Sequence, residues 1–173
     1  MKLLENNGKN LKELTLDDDN NLVKLSIAKF CPNLKKIFVI FKNGELDLLK
    51  TIFNNCQYLE SIQVRCGNYF LNEKEMLEVV VKYSPKYFYE LKIYNNGRSS
   101  KLLSEDLESF FISWKRRTPK KSLALIIIKS YYNNGLDTNE ENIKVIEKYK
   151  ELGIIKRFET KLFDEEDCAL LSY

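Results

Sequence analysis

The sequence predicts an α/β solenoid: five to six parallel strands on a concave side, with helices on the convex side. Three observations predict it. An apolar template returns along the chain as Leu11-x-x-Leu14-x-Leu16, Leu34-x-x-Ile37-x-Val39, Leu59-x-x-Ile62-x-Val64 and Phe88-x-x-Leu91-x-Ile93. The interval between equivalent positions grows from 23 to 25 to 29 and then to about 34 residues, with the added residues on the helical side. Between the strands, apolar residues recur at helical spacings of three and four. One strand and one helix cannot bury both of their faces alone. Stacked strand–turn–helix units with right-handed crossovers can.

A fixed apolar template at such an interval is the mark of a leucine-rich-repeat solenoid. A doubly wound α/β domain is the rival, because it reads as the same alternation. The repeated register favours the solenoid, and no Gly-rich strand-to-helix turn of the dinucleotide or P-loop kind occurs. The whole of 1–173 is expected to form one such domain, with an N-terminal remnant over 1–10 and a C-terminal capping segment over 159–173.

Each element follows from local chemistry. Residues 1–10 are expected to hold a helical remnant with Leu3 and Leu4 packed inward, ahead of a first strand over 11–17. Asp17 to Asn21 form a turn rich in helix-capping residues. Val23, Ile27 and Phe30 then make one helical face. Cys31-Pro32 stops that helix and opens the second strand. Asn43-Gly44-Glu45 turns the chain, and Leu46, Leu49, Ile52 and Phe53 form the next stripe. Gly67-Asn68 breaks the pattern after the third strand. Asn72 with Glu75 has capping-box spacing, and Leu77, Val80 and Val81 face inward. The fourth strand is expected over 88–94. Ser104 is placed to cap the following helix, with Glu105 and Asp106 where the helix dipole favours anions. Its buried face is Leu107, Phe110, Phe111 and Trp114. The run Leu123-Ala124-Leu125-Ile126-Ile127-Ile128 reads as a parallel strand buried on both faces. Thr138 with Glu141 suggests a second capping box, Ile143 and Ile146 an inward face, and Gly153 the residue past a helix end. A short last strand over 154–158 and a capping helix over 164–171 complete the reading.

Composition narrows the function. Hydrophobic content of 44% with 31% charged residues is ordinary for a globular chain. A formal charge of +3 does not suggest a nucleic-acid surface, so no nucleic acid is expected. No signal-peptide core and no apolar run of membrane-spanning length is evident, so no membrane partner is expected and the compartment is read as cytoplasmic or nuclear. Cys31, Cys56, Cys66 and Cys168 lack metal-type spacing and are expected to be reduced. The chain has no histidine, which removes imidazole bases, His-activated nucleophiles and His-bound metals. The chain is therefore read as a non-enzyme without cofactor or metal.

The phrases Cys31-Pro32-Asn33-Leu34-x-x-Ile37-x-Val39 and Cys56-Gln57-Tyr58-Leu59-x-x-Ile62-x-Val64 resemble the cysteine-containing leucine-rich repeats of fungal F-box proteins. The likeness is strongest from Leu11 to Ile93; farther on, Ser84 and Thr118 stand where that family has cysteine. The resemblance implies a surface that chooses a protein for ubiquitination. No F-box-type segment is recognised here, so a Skp-type adaptor is implied only if an F-box lies elsewhere.

In such a template the residues between the inward positions face the concave side. Thr15, Phe38, Gln63, Lys92 and Ile126 then share one column, and Asp17, Ile40, Arg65, Tyr94 and Ile128 the next. Phe38, Ile40, Gln63, Arg65, Lys92 and Tyr94 are the candidate partner-binding residues, since aromatics and Arg anchor interfaces. The competing reading is that loops or the termini cover them. The basic run from Lys115 to Lys121 reads as a solvated helix end, or as a nuclear-import, phosphate-contacting or Thr118-phosphorylation segment. The acids at 164–167 read as dipole compensation. Function is expected to be protein binding; the alternative is a structural solenoid that associates through an open N-terminal strand.

Overall fold

The template strands form, and each pairs in parallel with the next. The computed structural model describes residues 2–16, 20–95, 100–129 and 135–162. In chain order these are α1 (Lys2–Asn7), a 3-10 turn, β1 (Glu13–Leu16), α2 (Asn21–Phe30), β2 (Lys36–Val39), α3 (Leu46–Asn55) and β3 (Ser61–Cys66). Then come α4 (Glu73–Tyr83), β4 (Glu90–Asn95), α5 (Ser104–Lys115), β5 (Leu123–Lys129), a second 3-10 turn, α6 (Glu140–Glu151) and β6 (Ile155–Leu162). The six strands make one sheet in the order β1-β2-β3-β4-β5-β6.

The register follows the template. Leu14, Ile37, Ile62, Leu91, Leu125 and Phe158 align across the sheet, and so do Leu16 and Val39, and Val64, Ile93, Ile127 and Thr160. The apolar members of these rows enter one core with Ile27 of α2, Leu49 and Phe53 of α3, Leu77 and Val80 of α4, Phe111 and Trp114 of α5, and Ile146 of α6. The helices therefore lie together on one face, and among the described residues no second helical layer covers the other. Edge-on aromatic contacts link successive units, Phe53 to Phe88 at 5.6 Å and Phe88 to Trp114 at 6.1 Å between centroids.

One turn is reused at the strand entries. Leu34 N–H donates to the Cys31 carbonyl, Leu59 N–H to that of Cys56, and Phe88 N–H to that of Pro85. Cys31 and Cys56 are fully buried, and the Cys56 thiol donates to the Cys31 carbonyl at 3.4 Å. Burial pushes the Cys56 thiol up to about 12 and raises the Cys31 and Cys66 thiols too. Gly44, at φ 87°, makes the expected turn, and Gly153, at φ 70°, follows α6 with its N–H on the Lys150 carbonyl.

Several local expectations need correction. Leu4 packs against the core, but Leu3 is 72% exposed; the six-residue α1 buries none of its residues fully. Ser104 does not cap α5: it is the first helical residue, and Leu103 precedes it without a side-chain cap. Asn139, not Thr138, caps α6, accepting from the N–H groups of Glu141 and Asn142, while the Thr138 hydroxyl donates to the Gly135 carbonyl. The last strand runs to Leu162, so residues 159–162 belong to the sheet and not to a capping segment; they pair with Ile126–Lys129 of β5. Asp17 and the expected helix over 164–171 with Cys168 fall outside the described residues.

Candidate functional site: the open face of the sheet

Alternation along each strand sends every second side chain to the face away from the helices. Three rows result. The first is Glu13, Lys36, Ser61, Glu90, Ala124 and Arg157; the second is Thr15, Phe38, Gln63, Lys92, Ile126 and Glu159; the third is Arg65, Tyr94, Ile128 and Lys161. The second row is the expected column, residue for residue. Ile40 falls one residue beyond the end of β2.

The first row is polar and internally paired. Lys36 meets Glu13 at 2.7 Å, and that hydrogen bond and charge raise the Lys36 ammonium above its ordinary value. Glu90 accepts from the Ser61 hydroxyl at 2.7 Å and from the Arg157 guanidinium at 2.6 Å. Arg157 stands two strands from Glu90 and reaches it across Ala124, whose methyl group leaves the path open. Lys92 lies 3.6 Å from the same carboxylate.

Farther along the strands the face is apolar and closed. Phe38 and Ile40 are each 6% exposed and Tyr94 9%. Offering them to solvent as partner anchors was therefore an incorrect expectation, and internal cover, the competing reading, holds for these three. Arg65 supplies much of the cover: its guanidinium lies 5.6 Å from the Phe38 ring centroid, 5.9 Å from Phe70 and 5.4 Å from Tyr94. Cation–π attraction of this kind strengthens as the cation loses water. Tyr94 also packs with Ile126 and Ile128 in a small apolar cluster separate from the main core.

Phe70 was missed by sequence reasoning. Gly67, at φ 91°, and Asn68, at φ 43°, turn the chain back after β3. Asn43 N–H donates to the Tyr69 carbonyl and Gly67 N–H to that of Leu71, which brings Phe70 over the strand ends. The signal was the aromatic and apolar run Tyr69-Phe70-Leu71 directly after the Gly67-Asn68 turn.

A shallow groove remains open over the first four strands. Thr15, Lys36, Gln63 and Lys92 form its walls and Phe38 its floor. Gln63, Arg65 and Lys92 are the predicted residues that keep partial solvent access. Among the described residues no group of three or more Cys, Asp or Glu side chains is placed to hold a metal ion, and no helix is long and apolar enough to cross a membrane. No protein-family model matches the chain, and no curated protein matches it.

Proposed function

We propose that the chain is a leucine-rich-repeat type solenoid serving as a protein-binding module, with the groove on the open face as its contact surface. The observation that carries this reading is a sheet face without a helical layer among the described residues, in which Gln63 and Lys92 stay accessible beside a buried Phe38 floor. Polar walls around an apolar floor suit a partner segment that hydrogen-bonds at its edges and buries one side chain. Arg65, Tyr94 and Ile40 act here by holding the floor rigid. The resemblance to F-box repeats favours substrate choice for a ubiquitin ligase as the form of this role, with a Skp-type adaptor joining through an F-box elsewhere.

The test places a photo-cross-linking residue at position 63 and, separately, at position 25 on the exposed helical side. In source-cell extract, position 63 is expected to capture a discrete protein set that position 25 does not. Identical capture from both positions would defeat the reading.

A second reading rests on β1, whose outer edge has no strand partner among the described residues. Such an edge can template pairing with another chain, as in a structural solenoid that self-associates. Light scattering that shows a strict monomer at high concentration would remove it.

A further inference from the structure

The net charge of +3 averages over a polarised surface. The helices begin at the rim where strands end, and acids collect there: Glu73 and Glu75 in α4, Glu105 and Asp106 in α5, Glu140 and Glu141 in α6. On the opposite rim, where strands begin, Glu13, Glu60 and Glu90 are each paired with a Lys or Arg, and residues 109–128 hold five cations and no carboxylate. Helix-dipole compensation explains part of this polarity. It does not explain the aromatic side chains exposed on the basic rim.

Tyr58, in the loop before β3, and Tyr87, in the loop before β4, occupy equivalent places. They stack with centroids 5.9 Å apart and planes 11° apart. The Lys86 ammonium lies 4.8 Å and the Lys121 ammonium 5.3 Å from the Tyr87 centroid. No described ion pair involves Lys86, Arg116, Lys120 or Lys121. The patch is braced from beneath. Arg117 donates to the Ser84 and Pro85 carbonyls at 2.7 and 3.3 Å, its guanidinium lies 4.2 Å from the Trp114 ring, and the Trp114 indole donates to the Lys121 carbonyl at 2.8 Å. These bonds hold the loop before β5 against the loop before β4.

We propose that this strand-entry rim binds single-stranded nucleic acid, with Tyr58 as a stacking platform and Lys86, Arg116, Lys120 and Lys121 contacting phosphates. A ring face beside cations that hold no carboxylate serves a strand whose bases and phosphates both need partners; an acidic protein would use the cations alone. The proposal departs from the expectation drawn from net charge, because the acidic rim cancels the basic one in the sum. It concerns a rim distinct from the open-face groove, so it stands or falls separately from the protein-binding reading.

The experiment is fluorescence anisotropy of a labelled oligothymidylate of about 12 nucleotides with the full chain, across roughly 50–200 mM salt. Affinity is expected to fall linearly in log–log form, and Lys86→Ala with Lys121→Ala to make the slope shallower by about 1.4. Tyr58→Ala is expected to weaken binding about fivefold or more with the slope unchanged. Gln63→Glu on the open face is expected to bind as the wild type does. No binding at the lowest salt, equal competition by polyglutamate, full affinity in Tyr58→Ala, or an equal loss in Gln63→Glu would each overturn the proposal.

Discussion

Lys24 is 1% exposed and yet sits in an ion pair. Its ammonium donates to Glu45 at 2.6 Å and to Asn21 at 3.1 Å, and lies 5.6 Å from the Phe41 ring centroid. Glu45 in turn accepts from the Lys42 N–H at 3.0 Å. Desolvation alone would raise the Glu45 carboxyl; the hydrogen bonds from Lys24 and Lys42 and the Lys24 charge outweigh it, and the net direction is down. Removing one partner of such a pair strands the other charge, so Lys24→Met is expected to cost about 3 kcal/mol in urea unfolding. Lys24→Met with Glu45→Gln is expected to cost less than the sum of the single changes. A carboxyl lowered in the folded state stabilises above its unfolded value and loses that contribution as pH falls through the folded one. The stability gap between wild type and Glu45→Gln is therefore expected to be full at about pH 6 and to shrink below 4.5. A gap that stays constant with pH would refute the assignment. Nothing in the sequence singled Lys24 out, because its partner arrives from a turn 21 residues later.

At the scale of elements, helix starts were legible to within a residue and their chemistry less so. Asn72 caps α4 as its spacing to Glu75 predicted, accepting from the Glu75 N–H at 3.2 Å. At α6 two adjacent residues could serve, and Asn139 wins because Thr138 is held in the preceding 3-10 turn by its bond to Gly135. Asn139→Ala is expected to lower stability by about 1 kcal/mol, and Thr138→Ala by less, in paired denaturant melts. The reverse order would mean that the α6 cap is wrongly assigned. The basic segment after α5 shows why a run of like charges says little by itself. Arg117 turns inward to the carbonyls that end α4, and burial lowers its guanidinium from the ordinary value, while Arg116 and Lys120 stay on the surface.

Over the whole molecule, burial is uneven along the stack. The helix-facing residues Ile62, Val64, Leu91, Ile93, Leu125 and Ile127 of the central strands are at most 1% exposed. β1 has no fully buried residue and β6 only Ile155. Each unit chiefly contacts its neighbours, so opening should begin at the ends. Native-state hydrogen exchange is expected to show amides of β3–β5 opening with about 2–3 kcal/mol more free energy than those of β1 and the outer half of β6. Uniform protection across the sheet would instead mean that all six strands open as one.

The sequence by itself determined the strands, their parallel order and the columns they form. Those depend on period-two alternation and on a repeat interval, which are properties of short stretches and of their spacing. It also put Cys31 and Cys56 at equivalent places ahead of their strands. Only the tertiary structure decided which residues of the open face meet solvent. Phe38 and Tyr94 are covered because Arg65 comes over them with Phe70 against its guanidinium, Glu90 is paired because Arg157 crosses Ala124, and Tyr58 stacks because Tyr87 comes to rest beside it. Each of these turns on side chains far apart in the chain meeting at a few ångströms, and a distance of that kind is created only when the units stack.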